Sequence, residues 1–100
     1  MIRAVRSSQA ASEELAAAAQ WYELQRFGLG LEFLAALSAT ISMIQSNPEI
    51  GSPVGDDPRT RRMLVARFPY QVVYRVRRDE IVVVAFAHAK RRPGYWRRRA

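Results

Sequence analysis

Between Phe33 and Ile44 apolar side chains return every three or four residues, at Phe33, Leu34, Leu37, Ile41 and Ile44. That period lays them along one face of a helix. It predicts a helix from about Gly30 to Ser46, stopped by Asn47-Pro48. Upstream, Gln9 to about Arg26 is Ala-rich and free of Gly and Pro, the composition that most favours helix. Leu15, Ala18, Ala19 and Tyr22 fall on one face of it. Ser7, Ser8 and Ser12 offer N-caps, and Glu13 and Glu14 suit the positive end of a helix dipole. Gly28-Leu29-Gly30 reads as a tight turn, so the two helices form an antiparallel hairpin.

Elsewhere the period is two. Ile2 to Arg6 alternates apolar and cationic residues, as a half-buried strand does. Residues 47–60, with three Pro, two Gly and two Asp, read as a loop. Met63, Leu64 and Val65 then sit between cations, Phe68-Pro69-Tyr70 makes a turn, and Val72, Val73, Tyr74 and Val76 form a β-branched and aromatic run. After a polar turn at Arg77 to Glu80, Ile81 to Ala87 is almost continuously apolar, as befits a central strand buried on both faces. The expected fold class is α+β, in the order β-α-α-β-β-β: an antiparallel sheet with a helical hairpin packed on one face. One hundred residues make one domain, here residues 1–96, followed by a basic tail at 97–100.

Composition adds exclusions. With 49% apolar residues the chain can bury a modest core, and with no Cys it has no disulfide, thiolate nucleophile or Cys metal site. No run of about 18 apolar residues and no signal-like N-terminal stretch appears, so a cytoplasmic location is expected, with no membrane partner. Charge is divided unevenly. Residues 1–60 hold four Arg against seven acids, whereas residues 61–100 hold eleven Arg and Lys90 against Asp79 and Glu80. A net of −3 followed by +10 points to an acidic partner, and the guanidinium fork of Arg pairs with carboxylate or phosphate.

Candidate chemistry gathers in that basic half. His88, the only histidine, ends the most apolar strand and is followed by Lys90, Arg91, Arg92 and Tyr95. It could serve as a general acid or base in phosphodiester cleavage, or simply as a strand-end imidazole bonded to backbone. Tyr70, Tyr74, Tyr95 and Trp96 interleave with Arg, as base-stacking side chains do. Tyr74 fits a core equally well. Tyr95 and Trp96 follow Pro93-Gly94 and fold back over the sheet, either to stack bases or to latch the C-terminus. Arg61-Arg62 and Arg97 to Arg99 read most simply as solvated faces or ends. No metal-ligand spacing, phosphate-binding Gly-rich loop or catalytic triad is present, and no cofactor is expected.

The chain resembles the RelE/ParE superfamily of bacterial type II toxins and is more similar to the ParE, or plasmid-stabilisation, branch. The resemblance runs through Ala10 to Leu15, Trp21-Tyr22-Glu23, Gly28-Leu29-Gly30, Phe33-Leu34, Ile44 and Asn47-Pro48. It continues through Arg61-Arg62, Arg67-Phe68-Pro69-Tyr70, Val73-Tyr74, Ala87-His88 and Arg91 to Trp96. It implies a growth-inhibiting toxin neutralised by a small antitoxin, whose C-terminal segment wraps it in a hetero-oligomer. ParE-like members poison DNA gyrase without cutting nucleic acid; RelE-like members are ribosome-dependent endoribonucleases that cleave mRNA. Where those nucleases place an arginine to stabilise the cleaved phosphate, this chain has Gln71. Losing that charge weakens a nuclease, unless Arg75 or Arg67 takes its place in space, and favours the gyrase inhibitor, which is not itself a catalyst. Were it a nuclease, His88, Lys90, Arg91 and Tyr95 would be its catalytic groups. A plain basic nucleic-acid-binding module is the third reading. For target or antitoxin binding the candidates are Arg61, Arg62, Arg67, Arg75, Lys90, Arg91, Tyr95 and Trp96. The antitoxin's segment is expected to be acidic and amphipathic, docking as a helix in a groove or as an added strand.

Overall fold

Ser8 accepts the Ala11 amide at 3.1 Å and so starts the first helix. The computed structural model describes residues 3–99; Met1, Ile2 (where the expected first strand begins) and Ala100 lie outside them. The chain runs β1 (Ala4–Ser7), α1 (Gln9–Gln25), α2 (Leu29–Ser46), β2 (Ser52–Val54), β3 (Asp57–Leu64), β4 (Tyr70–Val76) and β5 (Glu80–His88). The order β-α-α-β-β-β holds, with one added three-residue strand and the first half of β3 inside the loop expected at 47–60.

Glycine makes the helical hairpin possible at two points. Gly28 takes a left-handed φ of 86° between the helices. At Gly30 a Cβ would stand 2.7 Å from the Ala19 carbonyl oxygen, so only glycine lets the helices approach this closely. Glu23 of α1 accepts the Gly28 and Gly30 amides at 2.9 and 3.0 Å, placing a carboxylate on the positive end of α2. α2 is long and apolar enough to resemble a membrane-crossing helix, but Phe33, Leu37 and Ile44 turn its apolar face into the core.

The sheet order is β1-β5-β4-β3-β2. Strands β2 to β5 form the expected antiparallel meander, whereas β1 pairs with β5 in parallel, so the sheet is mixed. The cause is parity. The helical hairpin returns the chain antiparallel to β1 at the unexpected β2, and three further reversals bring β5 back to the direction of β1.

Both faces of the sheet are covered. Ile81, Val83, Phe86, Val72 and Tyr74 pack under the helices with Tyr22, Phe33, Leu37 and Ile44. On the far face Val73, Val82, Val84, Ala85 and Ala87 pack against Trp96. A bulge sets the phase: Val73 pairs with Ala85 but Tyr74 with Val83, leaving Val84 unmatched. Val84 and Ala85 consequently share the far face, and Phe86 returns to the helix face.

Candidate functional site

His88 ends β5 directly opposite Tyr70 on β4, on the helix face restored by the bulge. The two rings meet edge to face at 5.1 Å, and α1 lays Trp21 and Tyr22 alongside. Together with Pro69 these side chains line a cavity of about 490 Å³. An adjoining cavity of about 300 Å³ shares Trp21, Tyr70 and His88 and adds Glu14, Phe86 and Arg91. The result is a groove between α1 and the end of the sheet. Trp21 is 57% exposed within it; an aromatic of that size at the wall of a groove is available to a partner. His88 Nδ1 accepts the Lys90 amide at 3.0 Å, so an uncharged ring carries its proton on Nε2. The backbone-bonded imidazole expected at a strand end is therefore present.

Cations rim this end. The Ala89 amide bonds the Pro69 carbonyl at 2.7 Å, tying the segment after β5 to the β3–β4 turn. Lys90, Arg91 and Arg92 from one and Arg67 from the other are all exposed. Arg67 holds a φ of 70°, a left-handed conformation disfavoured for any side chain with a Cβ. Arg91 lies over the Tyr95 ring, 4.0 Å from its centroid.

Tyr95 and Trp96 act as the latch. Trp96 is buried against the far face. The Tyr95 hydroxyl donates to Glu14 at 2.7 Å, and Arg99 donates to the same carboxylate at 2.9 and 3.2 Å. The Phe86 amide adds a fourth donor at 3.2 Å. Because β1 stops pairing at Val83, the edge of β5 beyond it is filled by Glu14 and Arg99, the latter also bonding the Val84 carbonyl at 3.0 Å. Arg99 is thus a structural ion pair and not the solvated end its sequence suggests. Burial, then the bond to Glu14, pushes the Tyr95 phenol well above its usual pKa.

The remaining candidates disperse. Arg61 bonds the Glu49 and Gly51 carbonyls at 3.0 and 2.6 Å and holds the loop before β2. Arg75 bonds the Thr60 hydroxyl at 3.0 Å and the Arg97 carbonyl at 3.3 Å, together with the Arg99 carbonyl, so it straps the C-terminal segment. Arg62 is exposed on β3, and its nearest polar partner is Gln71 at 3.5 Å. Tyr74 is core; its hydroxyl donates to the Pro48 carbonyl at 2.8 Å. Of the candidates, then, the groove gathers His88 and Arg91, with Lys90 and Arg67 beside it. Sequence reasoning assigned no site role to Trp21, Phe86 or Glu14. Trp21 had a signal, being a large aromatic one step off the apolar stripe of α1. Glu14 had none, because its partners are 72 to 85 residues away.

Three of the four nuclease candidates gather at the groove, His88 and Arg91 lining it and Lys90 beside it. Gln71 pairs with Ala87 on the far face while His88 pairs with Tyr70 on the helix face. Tyr95 is held by Glu14 with its proton retained. What the groove offers is aromatic surface beside positive charge.

The model of the family described as "ParE toxin of type II toxin-antitoxin system, parDE" matches residues 5–93. Among solved structures the chain is similar to one from the chromosomal ParDE toxin–antitoxin system of P. aeruginosa. The TM-score is 0.72 at 17% identity, covering 89% of this chain and 98% of that one. No curated protein sequence matches the chain significantly.

Proposed function

The chain belongs to the ParE toxin family of type II toxin–antitoxin systems, and we propose that it works in the cytoplasm by poisoning DNA gyrase, silenced by a cognate antitoxin seated in the Trp21–Tyr70–His88 groove. The observation that carries the target is the Tyr95 hydroxyl, which is engaged by Glu14, together with a neutral Gln71 that lies on the far face from His88. A nuclease of the RelE kind needs its acid free and its phosphate-stabilising arginine in place; here the phenol is engaged and the arginine's position is neutral. A poison that acts by binding needs neither. Purified toxin is expected to inhibit gyrase supercoiling and to trap cleaved DNA at micromolar concentration. Unimpaired supercoiling, with codon-phased cuts in cellular mRNA, would instead establish the nuclease.

For the antitoxin, the sheet edges argue against an added strand. β2 is three residues long and contains Pro53, and β1 is four residues long with Arg6 paired to Glu80. Short, Pro-bearing or charged edges resist pairing. The groove, with its exposed indole and neighbouring cations, suits one face of an acidic amphipathic helix. Trp21→Ala is expected to weaken antitoxin binding by about tenfold or more in calorimetric titration without moving the circular dichroism spectrum. Unchanged affinity would place the antitoxin elsewhere.

A further inference from the structure

We propose that the cationic end bearing Arg67, Lys90, Arg91 and Arg92 is a docking surface for single-stranded DNA, with one unpaired base stacked on Trp21. This deepens the gyrase reading and rests on it: the toxin would touch the DNA that the enzyme opens as well as the enzyme itself. Charge complementarity suits the surface to a polyanion, and the indole beside it selects one with unpaired bases. The four cations are exposed, and none forms a salt bridge among the described residues. The acid nearest to them in the groove, Glu14, is consumed by Tyr95 and Arg99. The Ala89–Pro69 bond keeps both cation-bearing segments at one end. Arg67 sits at a φ of 70°, where glycine would be less strained. Strain of that kind persists where the surroundings or the function require the side chain. Beside the cations, Trp21 is 57% exposed. A charged track for phosphates next to an aromatic platform is how unpaired strands are held without sequence preference.

The test is fluorescence anisotropy of the full chain with labelled single-stranded DNA, duplex DNA, single-stranded RNA and an acidic peptide, across a salt series. Single-stranded DNA is expected to bind most tightly. Replacing Arg67, Lys90, Arg91 and Arg92 together by Gln should weaken it on the order of tenfold or more and flatten the log–log salt slope by up to about three. Trp21→Ala should cost about tenfold at unchanged slope. A control variant losing the same charge elsewhere, at Arg59, Arg77, Arg78 and Arg98, should bind as the parent does. Equal loss in the control, preference for duplex or RNA, or binding of the peptide alone would overturn the proposal. Supercoiling inhibition is measured separately. If gyrase is poisoned but single-stranded DNA is ignored, this surface is wrong and the target stands. DNA binding without gyrase inhibition would remove the target and leave the surface standing.

Discussion

Glu14 shows how much one side chain can organise. Its carboxylate, with its side chain only 17% exposed, receives four donors from α1's three neighbours: the edge of β5, Tyr95 and Arg99. Removing the charge while keeping the shape leaves Arg99 unpaired in a half-buried place. Glu14→Gln is therefore expected to cost about 2–3 kcal/mol in urea denaturation, and the double change with Arg99→Met to recover part of that loss. Tyr95 gives the complementary pH signature. Its folded pKa is raised, so its contribution is complete below the unfolded value of about 10 and is lost as pH climbs towards the folded one. Stability should fall from about pH 10 upward, less steeply in Tyr95→Phe; identical alkaline profiles would remove Tyr95 from the account. The Tyr22, Tyr70 and Tyr74 phenols are also raised, chiefly by burial, so some of the decline will remain. At Arg67, substitution by Gly should stabilise the fold by up to about 1 kcal/mol in the same denaturation assay.

Among the elements, the stretch after β5 does the most with the fewest regular bonds. It is neither helix nor strand, yet Trp96 seals the far face and Arg75 holds its carbonyls. Trp96→Ala should cost about 3–5 kcal/mol, a large part of the roughly 5–15 kcal/mol expected of a small domain. A thermal unfolding midpoint within a few degrees of the parent would contradict that. Helices and central strands were legible because their periods are strong: Ile81–Ala87 is buried throughout, as its apolar run requires. β2 was not legible. Ser52-Pro53-Val54 has no period to read and exists only because β3 offers Arg61 and Arg62 as partners. Missing that one strand also hid the parallel pairing of β1 with β5.

Across the whole molecule, the charge asymmetry was readable from the sequence but its division of labour was not. Arg61, Arg75 and Arg99 face inward to backbone carbonyls, the Thr60 hydroxyl or Glu14, and Arg67, Lys90, Arg91 and Arg92 face outward. The groove itself joins α1 to strands nearly fifty residues or more further on, a separation that no local pattern records. Its make-up nonetheless depends on something a sequence can lose in a single event. Adding one residue between Ala85 and Phe86, with the bulge kept, would keep every groove residue and leave a continuous strand behind, yet would turn Phe86 and His88 away from α1 and send Ala87 inward. Deleting Val84 would only iron the bulge out and keep both faces. Insertions just past the bulge are therefore more damaging than substitutions there. A drifting toxin gene can be disarmed here by gaining one codon, with none of the groove's own residues altered.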